Sequence, residues 1–306
     1  MTKFKKILVT GFDKSALDED TWTRINKLTN SISFKPSKEA DCLFSRFNRV
    51  DKVLIDSLPN LKYIGLLATG TGTVDLIHAK KKNITVCNIP GYATESVAEW
   101  VFGVILEHLH DLERAKYVAR NGDFSGSGFS TMEILGKKFG VIGLGRIGKR
   151  VAEIAAGFGA KVCYWSRNRK KEMENKGISY EPLDALISTC DFISLHLLYN
   201  KDTADILSEK LINSLKKGAI VINVAPMELV NIPALKKRLK QNDITFILDH
   251  PDEMNPIDVK QLSRYKNCII YPPIGYVSKE SRVLKQNIFI SNLENFLGNK
   301  PINKVN

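Results

Sequence analysis

Long apolar runs, closely spaced cysteines and a leader-like segment are all missing from this sequence of 306 residues. No apolar stretch approaches the roughly 20 residues that a membrane-spanning helix needs, so we expect no membrane protein. The apolar run at 7–10 is too short for the apolar region of a signal peptide. The five cysteines, at positions 42, 87, 163, 190 and 268, have no spacing typical of a disulfide framework or a zinc site. We therefore expect a cytoplasmic protein without a metal site.

Acidic residues are the scarcer charged class: 33 Asp and Glu against 45 Lys and Arg give a formal net charge of +12. Such an excess occurs in proteins that bind nucleic acid by neutralising phosphates. Here the lysines form short, scattered clusters near predicted helix ends and turns, where solvated lysine is ordinary. We therefore predict no nucleic-acid partner, although the charge favours anionic small-molecule ligands.

Short β-branched runs alternate with helical patterns along most of the chain. Strands are predicted at 7–10, 42–45, 63–67, 85–88, 139–143, 162–165, 192–195, 219–223, 245–248 and 268–271. Most of these runs are continuously apolar, as expected of parallel strands covered on both faces. The alternation predicts an α/β protein with two doubly wound parallel-sheet domains.

The longest helical pattern runs from Glu95 to about Arg120 and is predicted as one helix that separates two α/β units. Its apolar face, at steps of three and four, comprises Val97, Val101, Val104, Ile105 and Leu109. A last helical pattern, 281–297, is expected to return to the first unit.

A glycine-rich motif stands between the predicted strand 139–143 and a helix that starts at Arg146. It reads Gly143-Leu144-Gly145-Arg146-Ile147-Gly148. In a strand–helix–strand context this spacing predicts a dinucleotide site. Gly143 permits the tight turn, Gly145 permits close approach of the pyrophosphate, and Gly148 permits close helix packing.

The end of the second strand of this unit indicates which dinucleotide binds. A site for NAD carries Asp or Glu there to bind the ribose hydroxyls, whereas this chain has Ser166, followed by Arg167 and Asn168. The missing acid removes repulsion toward a 2′-phosphate, and the guanidinium supplies a positive charge. We predict NADP(H) as the cofactor, with NAD(H) as the alternative.

Six segments together resemble the D-isomer-specific 2-hydroxyacid dehydrogenases, the family that includes glyoxylate/hydroxypyruvate reductases and phosphoglycerate dehydrogenases. They are LPNLKYIGLLATGTGTVDL, NIPGYATESVAEWVFGVIL, GKKFGVIGLGRIGKRVA, DFISLHLLYNKDT, LKKGAIVINVAPMELV and ILDHPDEMNP, in the family's order. The resemblance implies a Rossmann domain at 98–274, inserted in a flavodoxin-like substrate domain formed by 1–97 and 275–306. It also implies a homodimer formed through the helix that starts near Glu95, and we expect the apolar face of that helix and the loop after it to form the interface.

The resemblance further implies which residues meet the ligands. We expect the cofactor to contact His196, Thr203, Val224, Ala225 and Asp249, in addition to the glycine motif and Ser166–Asn168. The segment Ala68, Thr69 and Gly70 is expected in the substrate region.

The family's reaction needs an Arg that binds the substrate carboxylate, a His that protonates the carbonyl oxygen, and a Glu that supports the His. The corresponding positions here hold Pro226, Pro273 and Met254. Proline has no titratable group and no main-chain donor. Loss of an oriented general acid alone typically costs about 10²- to 10⁴-fold in rate. The sequence therefore predicts that ordinary 2-hydroxyacid chemistry is very slow or absent.

Three readings of the function stay open. The first is an NADP(H)-dependent oxidoreductase with changed chemistry. The second is a catalytically silent NADP(H)-binding sensor or partner protein. The third is an active 2-hydroxyacid dehydrogenase in which His250 and Glu253 substitute for the lost groups. Two prolines at the clamp and acid positions weigh against the third reading.

Overall fold

The computed structural model describes residues 3–46 and 48–306. The strands are β1 (Ile7–Thr10), β2 (Ile32–Ser33), β3 (Cys42–Ser45), β4 (Tyr63–Leu66), β5 (Thr85–Cys87), β6 (Lys138–Ile142), β7 (Lys161–Trp165), β8 (Ser179–Tyr180), β9 (Phe192–Leu195), β10 (Ile220–Asn223), β11 (Thr245–Leu248) and β12 (Cys268–Ile270). The helices are α1 (Glu19–Lys27), α2 (Lys52–Asp56), α3 (Leu76–Lys81), α4 (Thr94–His110), α5 (Leu112–Arg120), α6 (Arg146–Gly157), α7 (Lys171–Glu174), α8 (Leu183–Thr189), α9 (Glu209–Asn213), α10 (Ile232–Leu239), α11 (Pro256–Leu262) and α12 (Lys279–Leu297).

The elements form two compact units, each built on its own sheet. One unit comprises Met1–Ala93 together with Ser278–Asn306, and the other comprises Thr94–Val277. Within both sheets the pairings between these strands are parallel. The predicted α/β class with two doubly wound parallel sheets is confirmed.

The first unit has the strand order β2-β1-β3-β4-β5, which is the flavodoxin-like order. Helix α12 packs on this sheet, because the ring of Phe289 meets the ring of Phe44 with centroids 4.7 Å apart. The C-terminal helix therefore completes the core that the first 93 residues begin.

The second unit has the strand order β12-β11-β10-β9-β6-β7-β8. From β6 the chain first moves outward through β7 and β8, and then returns to add β9 to β12 on the other side. Strands β6 and β9 are neighbours, so their carboxyl ends flank the point where the order reverses. In open α/β sheets ligands bind in the crevice at this position.

Two differences from the prediction have simple local causes. The helix expected at 95–120 is two helices, because Asp111 takes left-handed φ and ψ angles of 48° and 47°. Aspartate tolerates this conformation better than most residues, and the apolar periodicity that carries on past it gives no sign of the break. The edge strands β2 and β8, of two residues each, are too short to give a sequence pattern.

The predicted dimer face of the long helix is corrected by the structure. Val97, Val101, Val104, Ile105 and Leu109 are all buried, and the last four belong to a core cluster of the second unit. Val101 and Ile105 belong to one core cluster with Phe139 and Val151. The apolar periodicity therefore marks the face of the helix that packs on its own sheet. This buried face cannot form an interface with a second copy of the chain.

In the described part of the chain, no helix is both long enough and apolar enough to span a membrane.

Candidate functional site

A cavity of about 640 Å³ opens at the carboxyl ends of β6, β7 and β9, where the strand order of the second unit reverses. Of the predicted cofactor residues, the structure brings Gly143, Leu144, Gly145, Ser166, Arg167, Asn168, His196 and Thr203 to its wall. It adds Trp165, Lys170, Leu197, Leu198, Asn200 and Asp202, which the sequence analysis did not name. Trp165 ends β7, and the other five residues lie on the loops after β7 and β9, so their approach to the cavity depends on the sheet.

The glycine turn has the geometry of a phosphate-binding loop. Gly143 has a φ of +95°, and a Cβ there would lie 2.8 Å from the carbonyl oxygen of His196. At Gly148 a Cβ would lie 2.0 Å from the carbonyl oxygen of Gly143, so α6 can approach the turn only with glycine at this position. A Cβ on Gly145 would meet no atom within 4 Å. The space in front of the α6 N-terminus is therefore open, and it suits a pyrophosphate group.

Arg146 and Ile147 begin α6 directly behind this turn, with Arg146 exposed and Ile147 partly buried against the core. Neither residue lines the cavity. Their backbone belongs to the helix N-terminus, whose N–H groups attract anions.

The far wall of the cavity is the segment after β7. Ser166 is buried, and its hydroxyl donates to the carbonyl oxygen of Asn168 at 2.7 Å. The side chain of Arg167 is two-thirds exposed, and its Nη2 lies 3.0 Å from Oδ2 of Asp202. This wall therefore presents a hydroxyl and a guanidinium.

His196 closes the inner end of the cavity. Its Nε2 lies 2.7 Å from Oγ of Ser194, and its buried Nδ1 has no hydrogen-bond partner among the described residues. Desolvation lowers the pKa of His196 to about 3, so the imidazole is neutral at physiological pH. A neutral ring with one unsatisfied nitrogen suits hydrogen bonding to a bound ligand and does not suit proton donation.

Thr203 holds the loop after β9. Its buried hydroxyl donates to the carbonyl oxygen of Leu198 at 2.8 Å and accepts from the main-chain N–H of Asn200 at 2.8 Å. The main-chain N–H of Asp202 donates to Oδ1 of Asn200 at 2.9 Å. The turn 200–203 is therefore fixed by its own side chains.

A second group of predicted residues lies along the carboxyl ends of β10, β11 and β12. The loop after β10 carries Val224, Ala225 and Pro226, and the main-chain N–H of Ala225 donates to the side chain of Asn223. Met227 follows and is buried in the core of the unit. Pro273 lies in the loop after β12. Neither proline offers a proton or a positive charge at these positions.

Asp249 directly follows β11, the strand that lies between β10 and β12 in the sheet. Its side chain is therefore flanked by the loops that carry Pro226 and Pro273, and the residue is only 2% exposed. It accepts a hydrogen bond from the main-chain N–H of Gly275, on the loop that carries Pro273. Its Oδ1 has no hydrogen-bond donor among the described residues, and Nε2 of His250 lies 3.4 Å from it. Burial raises the pKa of Asp249 to about 6, while the neighbouring His250 lowers it.

Glu253 and Met254 are not part of this group. Both line another cavity of about 360 Å³, with Glu228 and Asp205 among its other wall residues. No hydrogen bond or ion pair joins Glu253 to His250 in the described part of the chain. The structure therefore does not assemble the substitute pair of His250 and Glu253.

The predicted substrate segment Ala68–Gly70 lies in the first unit, directly after β4. The main-chain carbonyl of Ala68 accepts from the N–H of Ile89 at 3.2 Å, and the carbonyl of Thr69 accepts from Nδ2 of Asn88 at 2.7 Å. Thr69 and Gly70 are exposed at the carboxyl edge of that sheet. The main-chain carbonyls of Ala68 and Thr69 are held in place by the loop after β5.

No group of three His, Cys, Asp or Glu side chains in the described residues converges where it could hold a metal ion.

Comparison with known proteins gives a consistent result. A sequence model described as "D-isomer specific 2-hydroxyacid dehydrogenase, NAD binding domain" matches residues 102–275. A glyoxylate reductase of Thermococcus litoralis is 34% identical over 94% of this chain and 90% of that protein. A hydroxypyruvate reductase of Blautia hydrogenotrophica is 32% identical over 88% of this chain and 85% of that protein.

Solved structures extend the comparison to cofactor complexes. An acyclic imino acid reductase in complex with NADPH and D-Arg is 29% identical, with a TM-score of 0.83 over 98% of this chain and 100% of that chain. A D-lactate dehydrogenase from Aquifex aeolicus complexed with NAD and lactic acid is 27% identical, with a TM-score of 0.84 over 96% of each chain.

The contrast between Gly145 and Gly148 yields a testable prediction. Gly145→Ala should change the free energy of unfolding by less than about 1 kcal/mol, because its Cβ meets open space. It should nevertheless weaken dinucleotide binding at least tenfold, since the methyl group fills the space that the pyrophosphate needs. Urea unfolding and fluorescence titration measure the two quantities.

Gly148→Ala is the matched control. Its Cβ would collide with the carbonyl of Gly143, so it should lower the unfolding free energy by about 1–3 kcal/mol. Unimpaired dinucleotide binding by Gly145→Ala would contradict the assignment of this turn.

Proposed function

Because the chain belongs to the D-isomer-specific 2-hydroxyacid dehydrogenase family, we propose that it is an NADP(H)-dependent oxidoreductase whose 2-hydroxyacid chemistry has changed. One observation carries the proposal: the dinucleotide cavity keeps its glycine turn, while Pro226 and Pro273 occupy the positions of the carboxylate clamp and the acid. A dinucleotide site of this kind is most simply explained if the protein uses the bound cofactor in a redox reaction.

The preference for NADP(H) is supported by the wall formed by Ser166 and Arg167. A guanidinium beside a hydroxyl can bind a 2′-phosphate through charge-assisted hydrogen bonds. No carboxylate stands at position 166 to accept the ribose hydroxyls of NAD. NAD(H) is the alternative, since similar proteins of known structure include complexes with either dinucleotide.

The first prediction here concerns cofactor choice. NADP(H) should bind at least tenfold tighter than NAD(H), and Arg167→Ala should remove most of that difference because it removes the charge partner of the 2′-phosphate. Titration by intrinsic fluorescence measures both affinities. Arg169→Ala is the control, because Arg169 does not line the cavity and its guanidinium is bound to Glu174 by two hydrogen bonds. Equal or tighter binding of NAD(H) by the unmodified protein would refute the preference.

The substrate class follows from the two prolines. The cofactor supplies a hydride to an electrophilic carbon when it is bound. Hydride addition to a carbonyl leaves an alkoxide, and neither Pro226 nor Pro273 can protonate it or stabilise its charge. A protonated imine brings its own proton, and hydride addition converts its cationic C=N into a neutral amine. We therefore assign imines of 2-keto acids as the substrates that this site reduces without an acid from the protein.

The acyclic imino acid reductase described above is compatible with this assignment, but the D-lactate dehydrogenase aligns equally well, so the assignment rests on the two prolines. On the side of Pro273 the chain offers the carboxylate of Asp249, which accepts from the N–H of Gly275 and lies 3.4 Å from Nε2 of His250. A buried carboxylate there favours a cationic reacting group over a neutral carbonyl.

Turnover of keto acids and of their imines should differ sharply. With NADPH, glyoxylate, hydroxypyruvate and pyruvate alone should react at least a thousandfold more slowly than a typical enzyme turnover of about 10 s⁻¹. Added methylamine, which forms imines with these acids, should raise NADPH consumption at least tenfold. Trimethylamine forms no imine and is the matched control for ionic strength.

Other outcomes of the same assay identify the competing readings. Turnover of keto acids near 10 s⁻¹ that His250→Gln abolishes would show that the protein is an active 2-hydroxyacid dehydrogenase that uses His250. Tight NADPH binding without consumption on either substrate class would support a silent NADP(H)-binding protein.

A variant that carries the family's catalytic residues tests whether the prolines are the cause of slow keto-acid turnover. Pro226→Arg, Met254→Glu and Pro273→His together should raise keto-acid turnover. Met227 should be retained, although the family has glycine there, because it is 3% exposed in the core. Shortening such a buried side chain typically costs about 2–5 kcal/mol.

Assembly as a homodimer is also proposed, through the second part of the segment predicted as one helix at 95–120 and the loop after it, and not through the apolar face of α4. Helix α5 has no buried residue, and Leu112 and Tyr117 on it are exposed. Phe124, 86% exposed, follows in the loop after this helix. Exposed apolar side chains concentrated in one segment are typical of an interface.

Light scattering at micromolar concentration should give twice the monomer mass, and Phe124→Asp should shift the protein toward the monomer. Val53→Asp is the control, because Val53 is a similarly exposed apolar residue on α2. A monomer at every concentration tested would exclude the dimer.

A further inference from the structure

The wall of the dinucleotide cavity carries both positive and negative side chains, and one positive side chain is paired with a negative one. Three charged side chains line it: Arg167, Lys170 and Asp202. The Arg167 guanidinium is paired with the Asp202 carboxylate at 3.0 Å. Arg169, which is next to these residues in sequence, is held by Glu174 through Nε at 3.0 Å and Nη2 at 2.6 Å. The cation that remains unpaired on this wall is therefore Lys170.

Lys170 is partly buried, and its ammonium group forms no ion pair within the described residues. Its main-chain N–H donates to the hydroxyl of Tyr164, which fixes the start of α7 beside the cavity. A 2′-phosphate carries about two negative charges, so it needs more than one nearby cation for full compensation. Arg167 can contribute only if it is released from Asp202.

The position of Asp202 limits how far it can withdraw. Its main-chain N–H is bound to Asn200, and Asn200 is in turn bound to the buried hydroxyl of Thr203. Asp202 therefore sits on a turn that is held by hydrogen bonds to the buried Thr203, which keeps its short side chain at the cavity wall. When Arg167 turns to a phosphate, the Asp202 carboxylate stays within the same cavity wall as an uncompensated negative charge.

We propose that Asp202 is a specificity-determining residue of the dinucleotide site, one that lowers affinity for the 2′-phosphate by holding Arg167 and by repelling the phosphate. The inference rests on the proposed binding of NADP(H) at this cavity. Asp202 does not touch the reacting atoms; it acts on the cofactor affinity alone. It makes the site less selective for NADP(H) than Ser166 and Arg167 would be by themselves.

The exposed ion pair between Arg167 and Asp202 limits how much Asp202 can lower the affinity for NADP(H). Two-thirds of the Arg167 side chain and three-quarters of the Asp202 side chain are exposed, so their pairing alone accounts for up to about fivefold in affinity. Repulsion between the carboxylate and the phosphate adds to this value, and both contributions weaken as salt screens them.

The test measures dissociation constants of NADPH and NADH by fluorescence titration at low and high salt. Asp202→Asn keeps the shape of the side chain and the main-chain hydrogen bond to Asn200. It should tighten NADPH binding about three- to tenfold, change NADH binding less than twofold, and lose most of its effect at 1 M salt. In an Arg167→Met background the gain should shrink, because no guanidinium remains to be released.

Asp205→Asn is the matched control. It removes the same charge from the same segment, but Asp205 does not line this cavity, and asparagine tolerates its φ of 49°. It should leave both affinities unchanged. An equal gain from Asp205→Asn would show that net charge is responsible, and it would overturn the proposal.

The outcomes separate this proposal from the proposed function. A ratio of NADPH to NADH affinity that Asp202→Asn leaves unchanged or lowers refutes the role of Asp202, even if the unmodified protein prefers NADPH. A ratio that rises in Asp202→Asn supports that role, even if the unmodified protein prefers NADH and the predicted preference fails.

Discussion

The dinucleotide-binding unit depends on one close contact, between the backbone of Gly148 and the carbonyl oxygen of Gly143. A side chain at position 148 would place its Cβ 2.0 Å from that oxygen, so only glycine lets α6 start where it does. The contact fixes the helix N-terminus against the end of β6, next to β9. The open space beside Gly145 and the whole cavity at the switch point follow from that position.

Around this contact the structure leaves two buried polar atoms without partners in its second unit. Nδ1 of His196 and Oδ1 of Asp249 each lack a hydrogen bond among the described residues. Such atoms cost free energy when they stay unsatisfied, and ligand sites are where such groups are retained. Both atoms lie at the carboxyl edge of the same sheet, which supports a dinucleotide that runs along this edge.

Pro226, at the position that the family resemblance assigns to the carboxylate-binding Arg, is held in a well-packed local structure. Pro226 precedes the turn Met227–Leu229, Met227 is buried in the core, and Asn223 contacts its sulfur at 3.1 Å. The loop after β10 is therefore packed around an apolar side chain.

The sequence by itself determined the α/β class, the glycine turn and the identities at positions 166, 226 and 273, because periodicity and local motifs carry that information. Its reading of 95–120 as one helix was wrong, because apolar spacing cannot report the left-handed angles of Asp111. The same spacing could not show whether the face of Val101 and Ile105 meets its own sheet or a second copy. Only the tertiary structure decided that, and only it brought Asp202, on the loop after β9, to Arg167 on the loop after β7. The physical reason is that these residues are adjacent through the packing of parallel strands, and charge pairing across loops leaves no trace in sequence spacing.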